Sequence, residues 1–265
     1  MAARGRTVAG LGGLNAQRPA RPLVIAHRGA SGELRENTLA AYELAVAQRA
    51  DMIEIDLHRT RDGAIVIAHD ERLAGLPGDS EIGECSLAEV RAVADGERRV
   101  PTLDEVLDGF GARIPFNLEI KSSPVHPYPG IEAETLAALH ARGLGPSILC
   151  SSFDDAVLQR LREAAPAARI GVLVSPRAPE HWLERCGAVS AEAVHFWKGL
   201  ATDDAVETAH REGLAVYVYT VDDPAQMRAL LDRGCDGLFT NFPARMRALL
   251  ENEVDPSGIE LDSAE

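Results

Sequence analysis

Cysteine is scarce in this chain and never occurs in close pairs. The 265 residues include four cysteines that lie far apart in the sequence, Cys85, Cys150, Cys186 and Cys235. Zinc sites and disulfide frameworks use cysteines at short, regular spacings. The spacing therefore argues against both kinds of site and predicts reduced, mostly buried thiols in a cytoplasmic protein.

Long hydrophobic runs and an excess of positive charge are also missing. The longest apolar runs are short strand-like pieces such as AVYVYTV, whereas a membrane span needs about 20 residues. Lysine and arginine number 27 against 41 aspartate and glutamate, a formal net charge of −14. Because proteins that bind a phosphate backbone need an excess of Lys and Arg along a face, nucleic acid is an unsuitable partner. The sequence predicts neither a membrane span nor nucleic-acid binding.

The two ends of the chain differ from its centre. Residues 1–22 place Arg4 and Arg6 before a stretch rich in Gly and Ala, without the continuous apolar segment of a secretory signal. Residues 252–265 are acidic and contain few apolar residues. We expect a flexible N-terminal arm over residues 1–22, one domain over 23–251 and an acidic tail over 252–265.

The central part alternates short β-rich runs with helical patterns, which is typical of parallel strands joined by helical crossovers. Eight such units in a chain of this length predict a (β/α)8 TIM barrel. The predicted strands cover residues 23–29, 52–58, 114–121, 147–153, 169–175, 193–197, 215–221 and 237–241.

A short extra segment interrupts this pattern after the second strand. Asp62 and Gly63 stand between two β-rich runs and predict a hairpin-like turn, followed by an extended piece that ends at Asp70. Residues 71–100 then form an unusually long connection with a short helical pattern near 87–93. Long loops on this side of a barrel are often functional.

Charged residues occupy alternate positions within the second and third predicted barrel strands. Glu54 and Asp56 share one face of a strand, and Glu119 and Lys121 share a face of the next. Carboxylates that converge in a barrel mouth repel one another unless a cation compensates. Three carboxylates suit Mg²⁺ or Ca²⁺, which both prefer oxygen ligands. Lys121 could instead simply pair with one carboxylate.

Two histidines fall near the same predicted strand ends. His27 precedes Arg28 at the end of the first strand, and His69 ends the extra segment. One imidazole can accept a proton from a nucleophile while the other donates one to a leaving oxygen. Arg28 and Lys121 can donate hydrogen bonds to a phosphate group. Together with them, the histidines and carboxylates predict metal-assisted cleavage of a phosphodiester. Surface or loop positions are the simpler interpretation for each histidine taken alone.

These residues stand in segments that resemble glycerophosphodiester phosphodiesterases. The likeness is carried by HRG, ENT, EID, TRDG and HD within residues 24–70, then by FNLEIK, SSFD, VYVYTVDD and DGLFTNFP, and it covers about residues 23–250. The resemblance implies a (β/α)8 barrel that uses one divalent cation to hydrolyse a small glycerophosphodiester to sn-glycerol 3-phosphate and an alcohol. It also implies attack of the glycerol 2-hydroxyl on phosphorus, followed by opening of a cyclic phosphate by water.

The resemblance assigns roles by position. It implies that the metal ligands are Glu54, Asp56 and Glu119, the acid–base pair His27 and His69, the phosphate binders Arg28 and Lys121, the supporting residues Glu36 and Asn37, and the pocket residues Trp197 and Tyr219.

Three positions depart from the family pattern. Arg35 stands where Pro is usual, Tyr219 where Trp is usual and Asn241 where Asp is usual. Because none is an implied ligand or acid–base residue, we expect them to affect substrate preference more than reaction type. Two other functions stay open, a lysophospholipase D acting on lysophospholipids and a barrel that binds phosphodiesters without turnover. The sequence predicts no headgroup or oligomeric state, and it does not separate Mg²⁺ from Ca²⁺.

Overall fold

A computed structural model describes residues 18–252 except 95, 97–98 and 124–126. Most of the predicted arm and tail lies outside these residues. Within the arm, Arg18 Nε lies 2.8 Å from Asp236 Oδ1 and an Arg21 nitrogen lies 2.6 Å from Asp51 Oδ1. The strands are β1 Leu23–His27, β2 Met52–Arg59, β3 Ile65–Ile67, β4 Phe116–Ile120, β5 Ile148–Ser152, β6 Arg169–Val174, β7 Ala193–Trp197, β8 Ala215–Tyr219 and β9 Gly237–Thr240. The α-helices are α1 Leu39–Ala47, α2 Leu87–Val93, α3 Leu103–Phe110, α4 Ile131–Ala141, α5 Asp155–Ala164, α6 Trp182–Ala188, α7 Asp203–Arg211, α8 Pro224–Asp232 and α9 Pro243–Asn252.

Eight of the strands close into a parallel barrel. Their order around the ring is β1-β9-β8-β7-β6-β5-β4-β2, with β2 paired in turn to β1. Helices between successive strands cover the outside, so the predicted (β/α)8 TIM barrel is confirmed.

The extra segment after β2 is a hairpin with a small core of its own. β3 pairs antiparallel with β2, and the turn between them uses Gly63 at φ 91°. Val66, Ile82 and Val90 are fully buried in a cluster separate from the main core. The long connection is therefore a packed extension of the barrel wall, with α2 at the predicted position.

Alternation along the strands separates the main core from the barrel interior. Ile53 and Ile55 of β2 and Leu118 and Ile120 of β4 are fully buried in the cluster beneath the helices. The residues between them point into the barrel, because successive side chains of a strand face opposite sides. The four cysteines are free and buried, as predicted.

One helix begins later than its sequence pattern predicts. The sequence pattern over residues 179–186 predicts a helix that starts at Pro179, but α6 starts at Trp182 because His181 before it has left-handed backbone geometry with φ 55°. None of the described helices has the length and apolar composition needed to cross a bilayer.

Candidate active site

A cavity of about 400 Å³ opens at the carboxyl ends of the barrel strands. His27, Trp197 and Tyr219, which each end a strand, stand in its wall. This is the end of a TIM barrel where catalytic groups collect. The lining residues are His27, Arg28, Glu54, His69, Asn117, Glu119, Lys121, Phe153, Leu173, Trp197, Lys198, Tyr219, Thr220 and Phe239.

Three buried carboxylates meet beside this cavity. Glu54 and Asp56 come from β2 and Glu119 from β4, and the register pairs Asp56 with Glu119. One oxygen from each of the three lies within 4.8 Å of the others. The sequence therefore predicted correctly that these side chains converge.

Two basic side chains, Lys121 and Arg28, contact some of these carboxylates and not others. Lys121 Nζ lies 2.8 Å from Asp56 Oδ1 and also contacts Glu119, while Arg28 Nε lies 3.3 Å from Asp56 Oδ2. Among the described residues, the Glu54 carboxylate accepts a hydrogen bond only from the backbone N–H of Arg28, at 3.0 Å. Most of the positive charge is therefore directed at Asp56 and Glu119.

The carboxyl pKa values reflect this arrangement. Burial, followed by repulsion from Asp56 and Glu119, raises the pKa of Glu54 well above its usual range. Burial also raises the pKa of Glu119, against the attraction of Lys121. At Asp56 burial acts in the same direction, but Lys121 and Arg28 outweigh it and lower the pKa.

The donor set fits a divalent cation. Glu54 Oε1 is buried and finds no hydrogen-bond donor among the described residues. A buried carboxyl oxygen without a partner is costly, and a cation held by three carboxylate oxygens removes that cost.

His27 is held in one orientation by Asn241. Its Nδ1 lies 2.8 Å from Asn241 Oδ1, and Asn241 Nδ2 donates to Asp222 Oδ2 at 2.7 Å. Because Asp222 takes the amide N–H, the amide oxygen faces the imidazole and His27 carries its proton on Nδ1. Burial and the neighbouring Arg28 lower the pKa of His27 to about 4, so the ring is neutral with a free Nε2 lone pair.

His69 lies in the same cavity on the loop after β3. Its Nδ1 lies 2.7 Å from Asp70 Oδ1, so a carboxylate orients this ring. His58 supports the loop from beneath, since its Nε2 lies 3.3 Å from the backbone oxygen of His69 and its Nδ1 2.8 Å from the Tyr128 hydroxyl. The cavity thus brings two differently supported histidines to one set of carboxylates.

Comparison with known proteins identifies the lineage of this barrel. The model of the glycerophosphoryl diester phosphodiesterase family matches residues 27–245. The chain belongs to this family. Membership confirms the resemblance seen in the sequence and the predicted class of enzyme.

Members of the glycerophosphoryl diester phosphodiesterase family resemble the chain along most of their length. A glycerophosphodiester phosphodiesterase of Bacillus subtilis is 31% identical over 252 residues, covering 85% of this chain and 85% of the relative. One from Caldanaerobacter subterraneus is 32% identical over 231 residues and covers 83% of this chain and 94% of the relative. The solved structure of an Oleispira antarctica phosphodiesterase in complex with the product sn-glycerol-3-phosphate has a TM-score of 0.74 at 30% identity, covering 87% of this chain and 97% of that one.

Asn37 and Glu36, the two residues predicted to support the site, contact different partners. Asn37 Nδ2 donates to Asp56 Oδ2 at 2.9 Å, so of the two supporting positions that the resemblance leaves open, the first-strand histidine and the ligand shell, it contacts the ligand shell. Glu36 is exposed and pairs with an Arg28 nitrogen at 2.8 Å.

The side chain that supports His27 is Asn241, which sequence reasoning connected with substrate preference. Its contact with His27 joins residues 214 positions apart. That contact depends on barrel closure between β1 and β9, for which the local pattern carries no signal. Asn241 therefore bears on the acid–base group directly.

Trp197 and Tyr219 line the cavity as predicted, and Phe153 joins them. The rings of Phe153 and Tyr219 meet edge to face with centroids 6.0 Å apart. Sequence reasoning missed six lining residues: Asn117, Phe153, Leu173, Lys198, Thr220 and Phe239. Alternation offered a signal for Asn117, which stands two residues before Glu119 on the same face of β4.

His195 is fully buried. It lies between Tyr217 and Phe239, with ring centroids 5.4 and 5.2 Å away. It does not line the cavity.

Proposed function

We propose that this chain hydrolyses glycerophosphodiesters to sn-glycerol 3-phosphate and an alcohol, with the help of one divalent cation. The observation that carries the proposal is that His27 and His69 line one cavity together with Glu54 and Glu119, two members of a cluster of three buried carboxylates. The Oleispira antarctica structure, which holds sn-glycerol-3-phosphate, supports the same product.

Glu54, Asp56 and Glu119 would hold the cation, either Mg²⁺ or Ca²⁺. A cation bound there neutralises charge that develops on the phosphoryl oxygens. The free Oε1 of Glu54 favours this assignment, because the protein itself offers that oxygen no partner within the described ranges.

His27 is the general base of the proposed reaction. Its Nδ1 proton is held by Asn241 Oδ1, so Nε2 can accept a proton from the attacking hydroxyl. Its pKa near 4 keeps the ring neutral at physiological pH. A neutral imidazole with a free Nε2 is the form that a base requires.

His69 is the general acid. The Asp70 carboxylate, 2.7 Å from Nδ1, fixes the orientation of the ring and leaves Nε2 for the substrate. A protonated ring can give its Nε2 proton to the leaving alcohol oxygen.

Arg28 and Lys121 bind the phosphate in this scheme. Each already contacts a carboxylate, but guanidinium has five N–H donors and ammonium three, so both retain donors for phosphate oxygens. The aromatic wall of Phe153, Trp197 and Tyr219 offers apolar surface to the carbon atoms of the substrate.

The histidine assignments predict different responses to the leaving group. With glycerophosphocholine, His27→Ala and His69→Ala should each lower kcat about 100-fold or more, since one acid–base group supplies about 10²–10⁴-fold. With a p-nitrophenyl ester of glycerol 3-phosphate the leaving group needs no proton. His69→Ala should then regain most of its rate and His27→Ala should not.

The control for these variants is His140→Ala on the exposed face of α4, which should match the wild type. Rescue of His27→Ala by the nitrophenyl ester, with none for His69→Ala, would reverse the two roles. A lysophospholipid in the same panel tests the lysophospholipase D alternative, which exposure of Phe153 and Trp197 at the cavity mouth favours. Binding of glycerophosphocholine without release of product would indicate a binding barrel.

A further inference from the structure

Asn117 lies inside the barrel beside the carboxylate cluster. It precedes Glu119 by two residues on β4, and the strand register pairs it with Glu54 on β2. Its side chain lines the cavity although only 1% of the residue is exposed to solvent. Glu54 and Asn117 are therefore neighbours on the inner face of the barrel.

The orientation of the Asn117 amide is set from the opposite side. Its Nδ2 donates to Ser151 Oγ on β5 at 3.0 Å. Its Oδ1 is buried and accepts no hydrogen bond from the described part of the chain. Leaving a buried amide oxygen without a donor is unfavourable, so this oxygen calls for a partner that the polypeptide does not supply.

Glu54 Oε1 is in the same situation. It too is buried without a donor, and it belongs to a side chain that lines the same cavity. The two basic side chains nearby supply no donor to Glu54 Oε1. Within the cluster, Arg28 pairs with Asp56, and Lys121 pairs with Asp56 and Glu119. Two adjacent acceptors without donors are compatible with a positive group between them, and amide oxygens are ordinary ligands of hard cations.

We propose that Asn117 is part of the cation site, where its Oδ1 adds a fourth protein oxygen to those of Glu54, Asp56 and Glu119. Ser151 holds the amide so that this oxygen faces the site. The inference rests on the proposed function in one respect, that the carboxylate cluster binds a divalent cation.

Cation binding by the EDTA-treated protein tests the role of Asn117 without relying on turnover. Titration calorimetry with MgCl₂ and CaCl₂ should show that Asn117→Leu, which keeps the branched shape and removes the oxygen, weakens binding at least tenfold. Asn117→Asp keeps an oxygen and adds charge, so it should bind Ca²⁺ at least threefold more tightly than the wild type. Thr135→Val is the matched control, because Thr135 Oγ1 is also buried without a described partner but lies on α4 outside the cavity.

The outcomes separate this inference from the proposed function. If the wild type binds the cation and Asn117→Leu binds it within twofold, Asn117 is not part of the site and the proposed function is unaffected. If the wild type binds neither cation, the cation site of the proposed function fails as well. Should Asn117→Leu fail to fold by circular dichroism, Asn117→Asp decides, since unchanged or weaker Ca²⁺ binding would overturn the inference.

Discussion

The contact between Asn241 and His27 gives a prediction whose size follows from the structure. Asn241→Leu removes the acceptor 2.8 Å from His27 Nδ1 and leaves that donor without its partner. A buried donor left unsatisfied costs about 1–3 kcal/mol, and each 1.36 kcal/mol of barrier is a tenfold change in rate. We expect kcat to fall about tenfold to a hundredfold. KM should stay within about twofold, because the tautomer of His27 matters for proton transfer more than for binding.

Steady-state kinetics on glycerophosphocholine measures the effect of Asn241→Leu. Ser31→Ala is the control, since its hydroxyl lies 2.8 Å from the same Asn241 oxygen without contacting the imidazole. It should keep kcat within about threefold of the wild type. A value of kcat for Asn241→Leu within threefold of the wild type, at an unchanged melting temperature, would refute the tautomer argument.

Three further predictions concern stability and the pocket. Burial lowers the pKa of His195 to about 3. Below pH 6.5 the unfolded chain therefore binds a proton that the folded chain does not, and the free energy of unfolding decreases as the pH is lowered. In urea unfolding between pH 8 and 4.5, the free energy of unfolding of the wild type should decrease by about 3 kcal/mol more than that of His195→Leu. Equal decreases for the two proteins would contradict burial of a neutral ring. Gly29→Ala should lower the melting temperature sharply, because Gly29 has φ 85° and a Cβ would meet backbone and side chain of Ala41 at 2.8 Å; an unchanged value would show that the segment adjusts. Trp197→Ala should raise KM for glycerophosphocholine severalfold with little change in kcat, unless the exposed ring makes no substrate contact, in which case neither value changes.

The sequence was sufficient for the barrel and for the carboxylates. Alternation places Glu54 and Asp56 on one face of β2 and Glu119 on the inner face of β4, and parallel strands bring their ends together. The same alternation implies that Asn117 points inward, but a neutral amide gave no electrostatic reason to select it.

The rest depended on contacts that no local pattern contains. His27 meets Asn241 because β1 pairs with β9 at barrel closure, and the sequence does not determine that Asn241 Oδ1 faces the ring. Asp222 explains why Asn suits this position: its carboxylate accepts the amide N–H at 2.7 Å, where a second carboxylate would be repelled. His58 is a similar case, since its place beside the hairpin does not determine from the sequence that it is buried under the His69 loop.

The most direct test of the central claim is the cation dependence of glycerol 3-phosphate release. Wild-type protein and Glu54→Gln are assayed on glycerophosphocholine, glycerophosphoethanolamine and glycerophosphoglycerol, with EDTA and then with Mg²⁺ or Ca²⁺ restored. We expect product from the wild type that disappears with EDTA and returns with one of the cations, and at least a hundredfold lower rate for Glu54→Gln. Release of glycerol 3-phosphate that persists in EDTA, or full activity of Glu54→Gln, would contradict the account.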